Sequence, residues 1–312
     1  MATILLTGAS GFIGTRLIHH LRQAGTRVVS VGRRPPASSE QGLVHLPVSE
    51  LSAAAIRDAM GTAQVDAIIH LAAAGVRPGE RDAQLLTQVN AILPAELPAL
   101  GRALGARAVI IAGSNAEYAG HDGVIDESCT LETAKLYGAT KAAGGLLAVA
   151  NGVACALPTV NLRLFNVFGP GEAPHRLLPS LVDALAAGND VPLSEGLQVR
   201  DFIHVDDVCN AIVAAAASAT DGSLPSGHYN ICTGEGHSVR DFALAVAKHM
   251  GVASSLLQFG ALPLRPDDLP SVIGNPRAFM GCVSWRPAQS FDSRIAQAIA
   301  ELIPVESVPN HD

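Results

Sequence analysis

Thr3-Ile4-Leu5-Leu6-Thr7-Gly8-Ala9-Ser10-Gly11-Phe12-Ile13-Gly14 lies almost at the start of the chain. Thr3–Thr7 is a short apolar run that ends in glycine, as a buried strand does. Over Phe12–Gln23 the residues Phe12, Ile13, Leu17, Ile18 and Leu21 recur on one broad helical face. A strand, a glycine turn and a helix in this order give the three glycines a specific meaning. Gly8 allows a tight turn. Gly11 lets backbone N–H groups approach a pyrophosphate, whose charge the helix N-terminus favours. Gly14 lets the helix pack closely on the strand. Gly8, Ser10, Gly11, Phe12, Ile13 and Gly14 are therefore the candidate cofactor-binding turn. A merely flexible turn is the competing explanation, and the strand–turn–helix context disfavours it.

A second β-branched run, residues 28–31, is followed by Gly32-Arg33-Arg34. An acidic residue here would bind the ribose 2′-OH of NAD. Two guanidinium groups and no carboxylate suit the 2′-phosphate of NADP. NADP is the expected cofactor, with NAD the alternative if both arginines are only solvated surface charges. Further strands are predicted at residues 66–71, 108–112 and 159–165. A helical stretch runs through about residue 104, and another helix contains residues 140–150. Continuous apolar strands alternating with helices make an α/β fold with a parallel sheet covered on both faces. Right-handed crossovers make it doubly wound, a Rossmann arrangement.

After about Gly169 the pattern changes. Pro170, Gly171, Pro174, Pro179, Gly188 and Pro192 interrupt it. Helices are predicted at 177–187, Val239–Met250 and 290–302, between short extended pieces. The expected division is a dinucleotide-binding domain over 1–168 plus about 200–232, and a smaller α+β substrate lobe over about 169–199 plus 233–312. On this reading residues 200–217 and the strand 229–231 return to the main sheet.

The chain has 312 residues, 48% hydrophobic and 16% charged, with a formal net charge of -7. That is enough apolar material for a packed core. No cluster of Lys and Arg marks a nucleic-acid surface, so no nucleic-acid partner is expected. The cysteines Cys129, Cys155, Cys209, Cys232 and Cys282 form no CxxC pair, so no metal site is expected, and their odd number argues against a disulfide framework. Gly8 interrupts the first apolar run, which reads as no signal peptide, and the alanine-rich run 211–219 is too short to span a bilayer. A cytoplasmic protein without membrane contact is expected.

Tyr137-Gly138-Ala139-Thr140-Lys141 places a phenol and an ammonium four residues apart, on one helical face. A tyrosine titrates near 10, too high for good acid/base work at neutral pH. A neighbouring ammonium and an oxidised nicotinamide ring would both favour the phenolate. Ser114 follows the 108–112 strand and can hydrogen-bond a substrate oxygen. Taken alone, a Tyr-x-x-x-Lys is most often an exposed helix pair. The glycine turn upstream makes that explanation weak.

With these residues the chain resembles the extended short-chain dehydrogenase/reductase family, in its nucleotide-sugar epimerase/dehydratase/reductase branch. The resemblance covers nearly the whole chain. It rests on Thr7 to Gly14, Asp66-Ala67-Ile68-Ile69-His70-Leu71-Ala72-Ala73, Asn90, Ser114 with Tyr118, and Tyr137 to Lys141. It continues through Asn161 to Gly171, Arg200 to Asp207, Tyr229-Asn230-Ile231, Arg265-Pro266-Asp267 and Trp285-Arg286-Pro287. The resemblance implies that Ser114, Tyr137 and Lys141 are catalytic. It implies that Leu71, Ala72 and Ala73 wall the cofactor site, that Asn90, Tyr137 and Lys141 also bind the cofactor, and that Ser114 and Asn115 face the substrate. Asn166, Arg200 and Arg265 match positions that hold the diphosphate of a nucleotide sugar. Arginines away from the cofactor turn are what a second diphosphate needs. The alternative for Arg200 is a structural pair with Asp201 or Asp206. His204, Asp206 and Glu117 read as structural. A homodimer through helices near residues 82–104 and 137–151 is also implied.

Two departures matter. Pro47-Val48 stands where many relatives have an acidic residue facing the adenine. Asn115 and Ala116 stand where the 4,6-dehydratases have Asp-Glu as acid and base, which argues against dehydration. The expected function is NADP(H)-dependent reduction of a nucleotide-linked keto-sugar, a 4-keto-6-deoxyhexose, with Tyr137 as the acid/base. The alternative is a nucleotide-sugar 4-epimerase that recycles its hydride. A non-catalytic dinucleotide sensor is the third class, and it has no need of a proton donor.

Overall fold

The computed structural model describes residues 2–37, 40–77, 79–265, 268–288 and 290–303. Seven strands form one all-parallel sheet: β1 (Thr3–Thr7), β2 (Arg27–Gly32), β3 (Leu43–Pro47), β4 (Ala67–His70), β5 (Ala108–Ser114), β6 (Thr159–Leu164) and β7 (Gly227–Ile231). Their order across the sheet is β7-β6-β5-β4-β1-β2-β3. Chain direction reverses its sideways progress at β1, between β2 and β4, so the loops after β1 and β4 open a crevice at the carboxyl edge.

Alternation along the strands sorts side chains to two faces. Ile4 and Leu6 join a core with Leu17, Ile18 and Leu21 of α1 (Phe12–Gln23) and with Val208 and Ile212 of α7 (Val205–Asp221). Leu5 joins the opposite core with Ile56 of α2 (Ala53–Met60), Leu93 and Leu97 of α4 (Leu93–Ala103), and Ala148 of α5 (Leu136–Ala154). The doubly wound parallel sheet read from the sequence is the observed architecture.

Ahead of α4 come α3 (Ala83–Thr87) and a π-helical turn, Gln88–Ile92. Pro94 follows in the first turn of α4 and has no N–H to donate to the carbonyl of Asn90, four residues back. That missing bond favours a widened turn at Asn90.

A third core lies off the sheet. It gathers Phe168 with Leu178 and Leu181 of α6 (Leu177–Ala186), Phe242 and Val246 of α8 (Val239–Met250), and Ile295 and Ala298 of α9 (Phe291–Leu302). The strand at residues 229–231 does join the main sheet, as part of β7 against β6. Residues 200–204 do not. Val199–Arg200 pairs with the strands 237–238 and 271–274, and Phe202–His204 pairs with Asn166–Phe168. Only α7 of this stretch packs on the main sheet. Neither β3 nor α2 stood out in the sequence, because 43–47 is short, partly exposed and ends in proline. Among the described residues no helix is long and apolar enough to cross a membrane, and all five cysteines are free.

Candidate active site

The glycine turn after β1 has no room for a side chain at Gly8 or at Gly14. Gly8 has φ +74, and a Cβ there would lie 2.6 Å from the Ala72 nitrogen and the Leu71 carbonyl carbon. A Cβ on Gly14 would fall 2.1 Å from the Gly8 carbonyl oxygen. Gly11 is the N-cap of α1 and covers its first N–H groups with no side chain. Ser10 and Gly11 are exposed, while Phe12 and Ile13 turn partly into the core. Uncapped donors at the start of a 12-residue helix, in a cradle that a Cβ would fill, fit the pyrophosphate of a dinucleotide. Leu71, Ala72 and Ala73 form the facing wall, with the Leu71 N–H on the Thr7 carbonyl at 3.1 Å. Arg33 and Arg34 follow β2 and are both exposed.

Asn90 is buried in the π-helical turn. Its amide accepts from the Ala74 N–H (2.9 Å) and donates to the Ala74 carbonyl (3.0 Å) and Thr140 Oγ1 (3.2 Å). Both its N–H donors are therefore spent inside the protein, tying the loop after β4 to α5. A Cβ on Gly144 of α5 would lie 1.9 Å from the Asn90 carbonyl oxygen, so only glycine permits this helix contact.

Ser114 ends β5. Its N–H donates to Glu117 Oε1 (2.9 Å) and its Oγ accepts from the Ala116 N–H (3.1 Å). The same hydroxyl is hydrogen-bonded to Tyr137, in the first turn of α5. One turn on, the Lys141 ammonium donates to the Ala112 carbonyl at 2.5 Å. The three residues expected to be catalytic thus converge between β5 and α5. Lys141 alone does not pull the Tyr137 phenol below its usual range; the expected lowering joins the ammonium to an oxidised nicotinamide ring. Burial holds Tyr137 above that range, opposed chiefly by the Ser114 hydrogen bond. Burial pushes the Lys141 ammonium toward neutrality, and it turns to a backbone carbonyl. Nearby His70, fully buried with Nδ1 2.7 Å from Thr7 Oγ1, is held down to about 3, by burial first and then by Lys141.

Glu117, read from the sequence as structural, sits in a buried network. Its fully buried carboxylate accepts from Arg163 Nε (2.8 Å) and Asn161 Nδ2 (3.0 Å). Tyr118 sits in the same network, accepting from Arg163 (2.9 Å) and donating to Asn230 (2.6 Å). Asp206 pairs with Arg16 at 2.5 Å, joining α7 to α1.

Tyr137 faces a cleft of about 1130 Å³ that Asn166, Glu172, Arg176, Arg200 and Arg265 also line. Asn115 reaches this wall through Asn166, its Nδ2 donating to the Asn166 side-chain Oδ1 at 3.3 Å. Arg200 pairs with neither Asp201 nor Asp206. Asp201 is occupied by Thr233 and Gly234, and the partner of Arg200 is Asp268. Arg265 is exposed, while Pro266 and Asp267 lie outside the described residues. Glu172, Arg176 and Asp268 were missed. Glu172 Oε1 accepts from the Gly169 N–H at 2.9 Å, and burial pushes its carboxyl up to about 7. The turn residues Gly169-Pro170-Gly171 just before it were the only available signal.

A family model described as the NAD dependent epimerase/dehydratase family matches residues 4–232. The chain is 27% identical to CDP-abequose synthase of Salmonella typhimurium, over 96% of this chain and 98% of the relative. It is 28% identical to UDP-glucose 4-epimerase of Mycolicibacterium smegmatis, over 95% of this chain and 96% of the relative. Among solved structures, MoeE5 in complex with UDP-glucose and NAD is similar with a TM-score of 0.82 at 30% identity, covering 95% of this chain and 97% of that one.

Proposed function

We propose, from the premise that this chain belongs to the NAD dependent epimerase/dehydratase family, that it is an NADP(H)-dependent reductase of a nucleotide-linked 4-keto-6-deoxyhexose. The observation that carries this reading is the hydrogen-bonded pair Ser114 and Tyr137 facing the cleft, which sets a proton donor beside an orienting hydroxyl.

The glycine turn, Leu71 to Ala73 and the two arginines after β2 hold the dinucleotide, and Arg33 and Arg34 favour the 2′-phosphate. When bound, its reduced nicotinamide supplies the hydride. The sugar carbonyl carbon gains that hydride, and its oxygen takes the Tyr137 proton, giving the alcohol. Ser114 holds the carbonyl oxygen against Tyr137. Lys141 supports the phenolate left behind. Asn166, Arg200 and Arg265 grip the diphosphate. Ala116 has no acid or base to offer and the Asn115 amide is spent on Asn166, so neither position serves elimination of water. The similarity to CDP-abequose synthase, named for making a nucleotide-linked sugar, supports the reductase.

A 4-epimerase is the second reading, favoured by the comparable similarity to UDP-glucose 4-epimerase and by the NAD bound to MoeE5. The same side chains would serve, with the hydride returned to the opposite face. We also propose a homodimer through α3, α4 and α5. Ile92, Leu146 and Leu147 on these neighbouring helical segments are 40%, 46% and 49% exposed, more apolar surface than a solvated face needs.

The test is a panel of nucleotide-linked 4-keto-6-deoxyhexoses with NADPH, followed at the nicotinamide absorbance. The reductase consumes NADPH one for one with product. Interconversion of two 4-hydroxy sugars without net change of added cofactor rejects the reductase and leaves the epimerase.

A further inference from the structure

Ser114 stands at the N-cap of a three-residue 3-10 turn, Asn115–Glu117. A turn that short has few backbone bonds of its own. It is held from outside instead. Glu117 reaches back so that its Oε1 accepts the Ser114 N–H at 2.9 Å, while its Oε2 accepts from Arg163 Nε (2.8 Å) and Asn161 Nδ2 (3.0 Å) on β6. Arg163 in turn donates to the Tyr118 hydroxyl (2.9 Å), and that hydroxyl donates to Asn230 of β7 (2.6 Å). Glu117 and Arg163 are both fully buried. Gly113 makes the room, since a Cβ there would lie 2.4 Å from Glu117 Oε1. Stability alone does not call for this pair, because a buried ion pair gives little net gain over apolar packing.

We propose that Glu117, held by Arg163, is a positioning residue for the reaction: through the Ser114 backbone N–H it sets the Ser114 hydroxyl against Tyr137. The proposal rests on the reading of Ser114 and Tyr137 as the reacting pair. The hydroxyl accepts from the Ala116 N–H at 3.1 Å, so its orientation follows the turn that Glu117 anchors. Its proton and remaining lone pair are then free for Tyr137 and a substrate oxygen. A reacting group displaced by about 1 Å can slow a reaction about a hundredfold. Glu117 also acts on Tyr137 directly, because its charge opposes ionisation of the phenol. The two effects have opposite signs. Removing the charge speeds proton donation if the direct effect rules, and slows it if positioning rules. Positioning wins because Arg163 already matches the charge at 2.8 Å, and because the Ser114 hydrogen bond acts on the phenol more strongly than that charge does.

The test uses the full chain, isotope-labelled at tyrosine Cζ for magnetic resonance. The Tyr137 signal at neutral pH, assigned by its loss in Tyr137→Phe, reads the hydrogen bond to its hydroxyl without any ligand. Variants are Ser114→Ala, Glu117→Gln, Gly113→Ala, and Ser114→Ala combined with each of the other two, all checked by thermal melting. Glu117→Gln sets an amide N–H against a donor that the carboxylate had accepted. Gly113→Ala keeps every charge and pushes the carboxylate off the Ser114 N–H. Each is expected to move the Tyr137 signal in the direction that Ser114→Ala moves it, and to add no further shift once Ser114 is alanine. In single-turnover NADPH oxidation with a nucleotide-linked 4-keto-6-deoxyhexose, each is expected to slow the step about tenfold or more, but less than about twofold in the Ser114→Ala background. If Glu117→Gln does not fold, Gly113→Ala carries the same test. A Tyr137 signal that Ser114→Ala shifts and neither of the other variants moves overturns the proposal. A faster step in Glu117→Gln overturns it in favour of direct action by the charge. Equal losses with and without the Ser114 hydroxyl overturn it too and leave the pair a matter of stability alone. If Ser114→Ala itself changes neither signal nor rate, the reading of Ser114 and Tyr137 as the reacting pair fails instead.

Discussion

At the sheet end of the cleft, β5 and α5 carry Ser114 and Tyr137, the proposed reacting groups, on regular elements, beside a held polar network. Glu117 and Arg163 are buried against each other, Lys141 is tied to a backbone carbonyl, and Asn90 clamps the loop after β4 to α5. At the rim, Glu172, Arg176, Arg265 and Asp268 come from loops and helix entries. Arg176 is half exposed and only 3.6 Å from Glu172, a loose pair. The difference separates two tasks. A proton donor and its orienting hydroxyl need fixed geometry, which a buried network on strands and helices supplies. Binding a long anionic substrate needs reach and adjustment, which loops supply.

The contrast breaks first at Glu117. Removing one partner of a buried ion pair leaves the other charge uncompensated. Glu117→Ala should therefore cost about 3–5 kcal/mol of folding stability by urea titration. Removing the exposed end of the rim pair, Arg176→Ala, should cost no more than about 1 kcal/mol. Equal losses at both places would erase the distinction between a rigid end and an adjustable one.

Glu172 sharpens the comparison from the rim. Its carboxyl binds a proton more tightly in the folded chain, at about 7, than the ordinary value of 4.5. The folded state then holds more protons between those values, so this stabilising contribution is present below the lower value and is lost as pH rises through the upper one. Glu172→Gln keeps an acceptor for the Gly169 N–H but does not titrate. Relative to the parent, it should gain about 2 kcal/mol between pH 5 and pH 8. A pH-independent difference would mean that the carboxyl titrates normally.

The smallest effect lies at the cofactor's far end. Arg33 and Arg34 are exposed, so each contributes modestly. The double alanine variant should weaken NADPH about tenfold or more and leave NADH nearly unchanged, read by fluorescence titration. Equal or better affinity of the unmodified protein for NADH would contradict the NADP reading.

The same contrast governs what the sequence could tell. The glycine turn was legible because its residues lie within one short stretch between a strand and a helix. α1 spans Phe12–Gln23 as its apolar spacing required. Tyr137, Lys141 and Ser114 were legible as chemistry, but the direction in which Tyr137 shifts was not. That direction depends on how deeply α5 presses onto β5, and spacing says nothing of burial. The partner of Arg200 lies 68 residues away in a loop, and no local pattern announces it. The acids nearer in sequence, Asp201 and Asp206, are both spoken for elsewhere. Glu172 was hidden for a similar reason. A carboxylate after a Gly-Pro-Gly turn looks solvated until the fold closes over it.

The central claim is that Tyr137 hands its proton to a sugar carbonyl as hydride arrives. It is tested most directly by single-turnover oxidation of NADPH with a nucleotide-linked 4-keto-6-deoxyhexose, in the parent and in Tyr137→Phe, with NADPH affinity measured on both. Phenylalanine keeps the ring against Gly75 and removes only the hydroxyl. The rate should fall by about two orders of magnitude or more, the scale of general acid catalysis, while NADPH affinity stays within about threefold. A near-parental rate in Tyr137→Phe would contradict the account, because the proton would then come from another group.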